Sequence, residues 1–308
     1  MSALRKIAVG LVGALLSVAA TVQAQAQAQA EGALPPGTRQ ELNLVYAQLQ
    51  GRALHLDLYR PPGQQPAPLI IWIHGGSWYS GDKADPPALP LLRDGYAVAS
   101  VEYRYSSEAP FPAQIYDVKA AVRFLRANAA RFGLDPDRFG AWGESAGGHL
   151  AALLGATSVR GELEGREGVS GVSSRVQAVC DWYGPTDLLK INGQMPDGAD
   201  NYDDPGSPVS ILLGGPAPRN RKKARQASPI KYVTWGAPPF FIMHGDADDI
   251  VPIEQSKALV RALKRAKVDV QFVVVEDGGH SGDAYFTAQR LAEVRKFFDR
   301  HLKRAGRT

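Results

Sequence analysis

In "GAWGESAGGHLA", Ser145 has a glycine two residues before it and another two residues after it, and small residues follow. Such spacing suits a corner so tight that a side chain at Gly143 or Gly147 would collide with the neighbouring backbone, while one hydroxyl is lifted clear. A serine hydroxyl attacks a carbonyl only when a base takes its proton and a carboxylate orients that base. Of the six histidines, His280 follows "VQFVVVEDGG" in a loop from which an imidazole could reach across to the serine. His149 lies four residues past Ser145 and is expected to pack or hydrogen-bond locally. His74 and His244 precede glycines at strand ends and should shape loops, whereas His55 and His301 read as structural or solvated. The acid should come from "FFIMHGDADDIVP", which offers Asp246, Asp248 and Asp249; Asp187 in "YGPTDLL" is the outside candidate and suits a helix cap better. The free N–H groups at the start of the helix after Ser145, beginning with Ala146, would face negative charge developing beside the hydroxyl. Residue pattern alone therefore points to acyl transfer from a serine.

These groups need a frame that holds them. "LNLVYAQL" and "ALHLDLY" predict an opening antiparallel hairpin, and "LIIWIH", "YAVASVEY", "RFGAWG", "VQAVCDWYG", "FFIMHG" and "VQFVVVE" predict further strands. Several are continuously apolar, as strands covered on both faces are. Helical spacing recurs at Ile115, Val118, Val122 and Leu125, and again over 253–267 and 284–302. The alternation predicts an α/β fold, a mostly parallel central sheet with helices on both faces. Ser145 then falls on a strand-to-helix corner. The segment from about 190 to 228, rich in Pro, Gly, Asn and Asp, fits neither period and is expected to be a loop-rich insertion covering the site.

Composition bounds the setting. The 308 residues carry a formal charge of +4, of which Arg5 and Lys6 supply two, and the densest basic cluster, Arg219 to Arg225, reads as a solvated loop. Nucleic-acid binding is not expected. "MSALRK", the apolar "IAVGLVGALLSVAATV" and the alanine-rich "QAQAQAQA" have the order of a secretory signal, so residues 1–30 are expected to be removed, leaving 31–308 as one domain in the periplasm or outside the cell with no membrane attachment. Cys180, the single cysteine, excludes an intramolecular disulfide. No H-E-x-x-H or G-x-G-x-x-G pattern is present, and the proposed chemistry requires no metal or organic cofactor.

The order Ser145, acid, His280 and the segment "HGDADDIVP" resemble the α/β-hydrolase fold family, whose H-G-x-x-D-x-x-V-P pattern puts its acid at Asp248. "HGGSW" resembles the H-G-G-G motif of hormone-sensitive-lipase-like esterases with Ser77 in place of the third glycine, which implies oxyanion donation by Gly76, Ser77 and Ala146. From about Leu42 to Leu302, including "VEYRYSSEAPFPAQIYDVKAAVRFLRANAARFGLDPDRFGAWGESAGGHLAALL", the chain is similar to the acetyl esterase/lipase group and its bifunctional feruloyl and acetylxylan esterases. The resemblance implies a Ser145, Asp248, His280 triad hydrolysing short or aromatic acyl esters. Trp78, Tyr79, Trp182 and Tyr183, near the turn or a strand end, are candidates to line an aromatic acyl pocket, with packing as the alternative. Three other readings share parts of the pattern. An amidase, arylformamidase or lactonase would share the triad; a peptidase usually carries an N-terminal β-domain for which no room is expected; a binding protein on this fold should lack a triad member.

Overall fold

Branched and aromatic runs pair into one eight-stranded sheet in the computed structural model, which describes residues 34–63, 66–157, 159–196 and 198–303. The expected signal at 1–30 lies outside the described residues. The strands are β1 (Arg39–Leu49), β2 (Arg52–Arg60), β3 (Ala67–Ile73), β4 (Ala97–Val101), β5 (Leu134–Glu144), β6 (Ala178–Trp182), β7 (Phe240–Gly245) and β8 (Val270–Val275), in spatial order β1-β2-β4-β3-β5-β6-β7-β8. β1 pairs antiparallel with β2, and β2 antiparallel with β4. Every other neighbour is parallel. This is the architecture that the α/β-hydrolase resemblance implies.

Seven α-helices accompany the strands among the described residues: α1 (Ala113–Ala127), α2 (Ala129–Phe132), α3 (Ala146–Thr157), α4 (Pro208–Leu213), α5 (Arg221–Gln226), α6 (Glu254–Arg265) and α7 (Ala288–Leu302). Alternation along β3 shows how the two faces are covered. Leu69, Ile71 and Ile73 join a core with Ile115, Val118 and Val122 of α1, Leu150 and Leu153 of α3, and Leu259 and Leu263 of α6. Ile70 and Trp72 turn the other way, onto Val294, Phe297 and Phe298 of α7 and the 3-10 turn Leu89–Asp94. Each fully buried Leu, Ile or Phe contributes about 1.5–3 kcal/mol, so both layers are held by the same strands.

Two boundaries differ from the sequence expectation. The last helix starts at Ala288 rather than Ala284, because Thr287 caps it by accepting the Arg290 N–H, and a 3-10 turn, Asp283–Tyr285, precedes it. The segment 190–228 is not only loop. It contains the 3-10 turn Asn192–Gln194 and helices α4 and α5. Ser207 caps α4, Pro208 opens it and Gly214, at φ +74°, closes it, start and stop signals that the missing period had masked.

Candidate active site

β5 delivers Ser145 to the corner, and α3 leaves it. Ser145 has φ +51°, a conformation costing about 1–3 kcal/mol that persists only where the surroundings impose it. Here they do. The Ser145 N–H donates to the Trp182 carbonyl at 2.8 Å, and the Ser145 carbonyl accepts the His149 N–H at 2.9 Å. A Cβ on Gly147 would run into the carbonyl oxygens of Ile73 and His74, and one on Gly143 into the Gly147 carbonyl. Both glycines are therefore required for β3, β5 and α3 to meet.

The loops after β7 and β8 bring the partners. Tyr285 fastens them: its hydroxyl accepts the Gly245 N–H at 2.7 Å and donates to the Gly279 carbonyl at 2.9 Å. His280 consequently lies with Nε2 2.8 Å from Ser145 Oγ and Nδ1 2.8 Å from Asp248 Oδ2. Since Nδ1 faces a carboxylate it carries the proton, and Nε2 is left to accept from the serine. Asp248 is buried, and its Oδ1 accepts the Ile250 and Val251 N–H groups at 2.9 and 2.8 Å. Burial pushes the Asp248 carboxyl up, but hydrogen bonds from His244 and His280 outweigh it and hold the group below the usual carboxylate range.

The His244 contact was not anticipated from the sequence. Its Nε2 lies 2.7 Å from the Val251 carbonyl and 3.1 Å from Asp248 Oδ2, and its Nδ1 lies 2.7 Å from Ser256 Oγ. Two acceptors at Nε2 place the proton there, so Nδ1 accepts from Ser256. The only hint was the four-residue spacing to Asp248.

β3 ends in His74-Gly75-Gly76-Ser77-Trp78. Gly76, Ser77 and Trp78 have φ of +98°, +54° and +62°, and a Cβ at Gly76 would meet the Ser80 backbone. A Cβ at Gly75 would sit 3.5 Å from Ser145 Cβ, which shows how closely this turn passes the serine. His74 shapes the turn: its ring stacks on Tyr103 at 4.4 Å, and the Tyr103 hydroxyl donates to the His74 carbonyl at 3.0 Å. Ser77, Trp78, Ser145 and Ala146 then share the wall of a narrow cavity of about 20 Å³, room for about one water molecule.

The four aromatic candidates separate. Trp78 lines the cavity, and Tyr79 is 44% exposed outside it. Trp182 does not line it, because it faces the α7 side of the sheet and packs at 4.9 Å on Trp142 and 5.2 Å on Phe286. Tyr183 does not either. Its ring stands 4.9 Å from His280, and its hydroxyl donates to Glu144 Oε2 at 2.8 Å. Burial pushes the Glu144 carboxyl up, against that hydrogen bond and the nearby His280. The remaining wall is Pro185, Ile191, Tyr202, Pro208, Val209, Ile250 and Val251, none of them singled out in the sequence. Tyr202 locks the covering segment to the acid loop by donating to the Ile250 carbonyl at 2.6 Å. Of the outside acids, Asp187 donates its backbone N–H to Gln255 Oε1 at 2.7 Å, and its own Oδ1 accepts the Leu189 N–H at 3.3 Å.

A family model described as BD-FAE matches residues 56–263. Esterase LipQ of Mycobacterium tuberculosis is 34% identical over 249 residues, covering 78% of this chain and 56% of that protein. The chain spans about half the length of the curated relatives it matches. Among solved structures, a truncated carbohydrate esterase from gut microbiota aligns with a TM-score of 0.78 at 34% identity, covering 88% of this chain and 99% of that one. A thermophilic esterase of Thermogutta terrifontis, Est2 with propionate bound, aligns with a TM-score of 0.70 at 26% identity, covering 88% and 97%.

Proposed function

The chain belongs to the BD-FAE family, and on that premise we propose that it is a serine carboxylic ester hydrolase, with Ser145 as nucleophile, His280 as general base and Asp248 as its orienting carboxylate. The observation that carries this reading is the unbroken contact from Ser145 Oγ through both nitrogens of His280 to Asp248, opening on one cavity. His280 Nε2 takes the serine proton as Oγ bonds to the ester carbonyl carbon, and the carbonyl electron pair moves onto oxygen. The N–H groups of Gly76, Ser77 and Ala146 hold that oxyanion. Such donors are worth about 3–4 kcal/mol each. The imidazolium, steadied by Asp248, returns its proton to the leaving alcohol oxygen, and water repeats the sequence on the acyl-enzyme. The Ile250 and Val251 N–H groups hold Oδ1 of Asp248, and His244 donates to the same Oδ2 that faces Nδ1, so the carboxylate stays charged and aimed at His280.

Acyl size follows from the cavity. The narrowness of the cavity between Trp78, Tyr202 and Val209 favours a short acyl group over a feruloyl ring, which supports esters of short acids, acetate foremost, as the substrate class. The propionate-bound Est2 among its structural relatives supports a short acyl group, and the carbohydrate esterase supports a sugar ester as the alcohol side. The basic, apolar and alanine-rich order of residues 1–30 supports export, and the enzyme acts in the periplasm or outside the cell.

The test is hydrolysis of p-nitrophenyl esters from acetate to laurate, beside methyl ferulate and acetylated xylan, by wild type and Ser145→Ala. Acetate should be turned over fastest, and the variant should lose at least about 10⁴-fold in kcat while remaining folded. Equal activity in folded Ser145→Ala rules out the nucleophile. Intact esters with folded wild type move amide or formamide substrates, or binding alone, ahead.

A further inference from the structure

Trp78 and His149 share a hydrogen bond that the reaction above does not use. Ser77 and Trp78, successive residues of the turn, are both left-handed at φ +54° and +62°. Non-glycine residues in this region cost about 1–3 kcal/mol each and need outside support. Trp78 receives it at two points. Its carbonyl accepts the Ser106 N–H at 2.8 Å, and its indole Nε1 donates to His149 Nδ1 at 3.1 Å, with the two rings edge to face at 5.2 Å.

His149 is built to accept that bond. It is fully buried, and Nε2 lies 2.6 Å from the Ala227 carbonyl, so the proton sits on Nε2 and the lone pair on Nδ1 faces Trp78. Burial pushes the imidazole down to about 4, which keeps it neutral in the working range. The backbone N–H of the same residue bonds the Ser145 carbonyl at 2.9 Å. One side chain on the nucleophile's helix thus joins the oxyanion turn to the end of the covering segment.

We propose that His149 is a positioning residue for the oxyanion turn: it holds Trp78, and through it the N–H groups of Gly76 and Ser77, at a fixed place beside Ser145, and ties both to the covering segment at Ala227. This rests on the hydrolase reading. Displacing oxyanion donors weakens the transition state more than the ground-state ester, so the effect falls on kcat rather than KM.

The test compares wild type with His149→Phe, Trp78→Phe, the double variant and His149→Asn on p-nitrophenyl acetate, with active sites counted by paraoxon titration. His149→Phe fills the volume without an acceptor, Trp78→Phe removes the donor, and the Asn Oδ1 overlays Nδ1. Each Phe variant should lose about tenfold in kcat per titrated site with KM changed less than about twofold. The double variant should be no slower than the singles, and His149→Asn should recover most of the loss. Unchanged kcat in both folded singles, additive losses in the double, or a loss confined to KM overturns the proposal. If His149→Phe fails to fold, Trp78→Phe and His149→Asn decide it on the same terms. Wild type that hydrolyses no ester overturns the hydrolase reading and this proposal with it; active wild type with unaltered variants overturns this proposal alone.

Discussion

Asp181 and Asp248 are buried carboxylates near the same site, and their environments drive them in opposite directions. Asp181 on β6 has one oxygen on the Gly184 N–H at 3.0 Å, and its Oδ2 has no hydrogen-bond partner among the described residues. Burial pushes this carboxyl up to about 6, with the Gly184 N–H and the proximity of His244 opposing. The folded state therefore holds the proton more tightly than the unfolded chain, whose Asp titrates near 4. Stability is greatest below that value and falls as pH rises from about 4 through 6, by roughly 3 kcal/mol at about 1.4 kcal/mol per unit. Asp181→Asn should remove this slope, and urea unfolding at pH 4.5, 6 and 7.5 would read it; an unchanged slope in the variant shows that the buried charge is not its source. Asp248 has the opposite sign. Its lowered carboxyl stabilises the fold above about pH 4 and loses that contribution as pH falls toward the folded value, so Asp248→Asn should be less sensitive to acid than wild type. His280 was legible in the sequence because it stands on a loop after the last strand, in the required chain order, whereas the order left Asp246, Asp248 and Asp249 open and only the family resemblance of "HGDADDIVP" pointed to Asp248. The His244 contact was not legible, since a strand-end residue and a loop residue four apart have no fixed relative direction until Val251 and Ser256 orient the ring.

The strand, turn and helix around Ser145 meet backbone to backbone, and this is why the corner could be read in advance: only glycine fits where a Cβ would strike a carbonyl oxygen. Gly147→Ala presses on the Ile73 and His74 carbonyls, which belong to a central strand and its exit and cannot rotate away. Overpacking of this kind costs typically 1–3 kcal/mol and more where backbone must move. Gly193, in the 3-10 turn Asn192–Gln194, has nothing within 4 Å of the same added atom. Thermal unfolding should show Gly147→Ala several degrees or more below wild type, with esterase activity lost in step, and Gly193→Ala within about one degree. Equal melting temperatures would mean that the corner yields. Other elements were legible to different degrees. Strand-like apolar runs, several continuous and the opening hairpin alternating, located the eight described strands, but they did not say which face of β6 adjoins the cavity, so Trp182 stood as a pocket candidate with packing as the alternative, and it packs toward α7. The segment 190–228 was expected to cover the site, but that Ile191, Tyr202, Pro208 and Val209 are the residues lining it had no signal, because their shared wall is created by long-range packing of a segment with no periodicity.

At the scale of the molecule, the two apolar layers are not two cores that could melt apart. Consecutive residues of β3 enter them alternately, Leu69, Ile71 and Ile73 on one side and Ile70 and Trp72 on the other, so loss of either layer strips one face of the strands that support the other. The covering segment has no separate core. Val209, Leu212 and Leu213 of α4 and Ala224 of α5 are buried in the same layer as α1 and α3, the Phe111 N–H bonds the Leu212 carbonyl at 2.8 Å, and His149 and Tyr202 fasten the segment to the nucleophile helix and the acid loop. A segment held at so many points should not open before the sheet does. Calorimetry is therefore expected to show one transition with van't Hoff and calorimetric enthalpies equal, and limited proteolysis within 191–228 should require global unfolding, with cleavage rates that fall as stability is raised. An early transition, or rapid cleavage there while the far-ultraviolet signal and activity of the uncut fraction persist, would mark the segment as an independently opening cover. The narrow cavity would then describe only its closed state, and longer acyl groups would enter at the rate of opening.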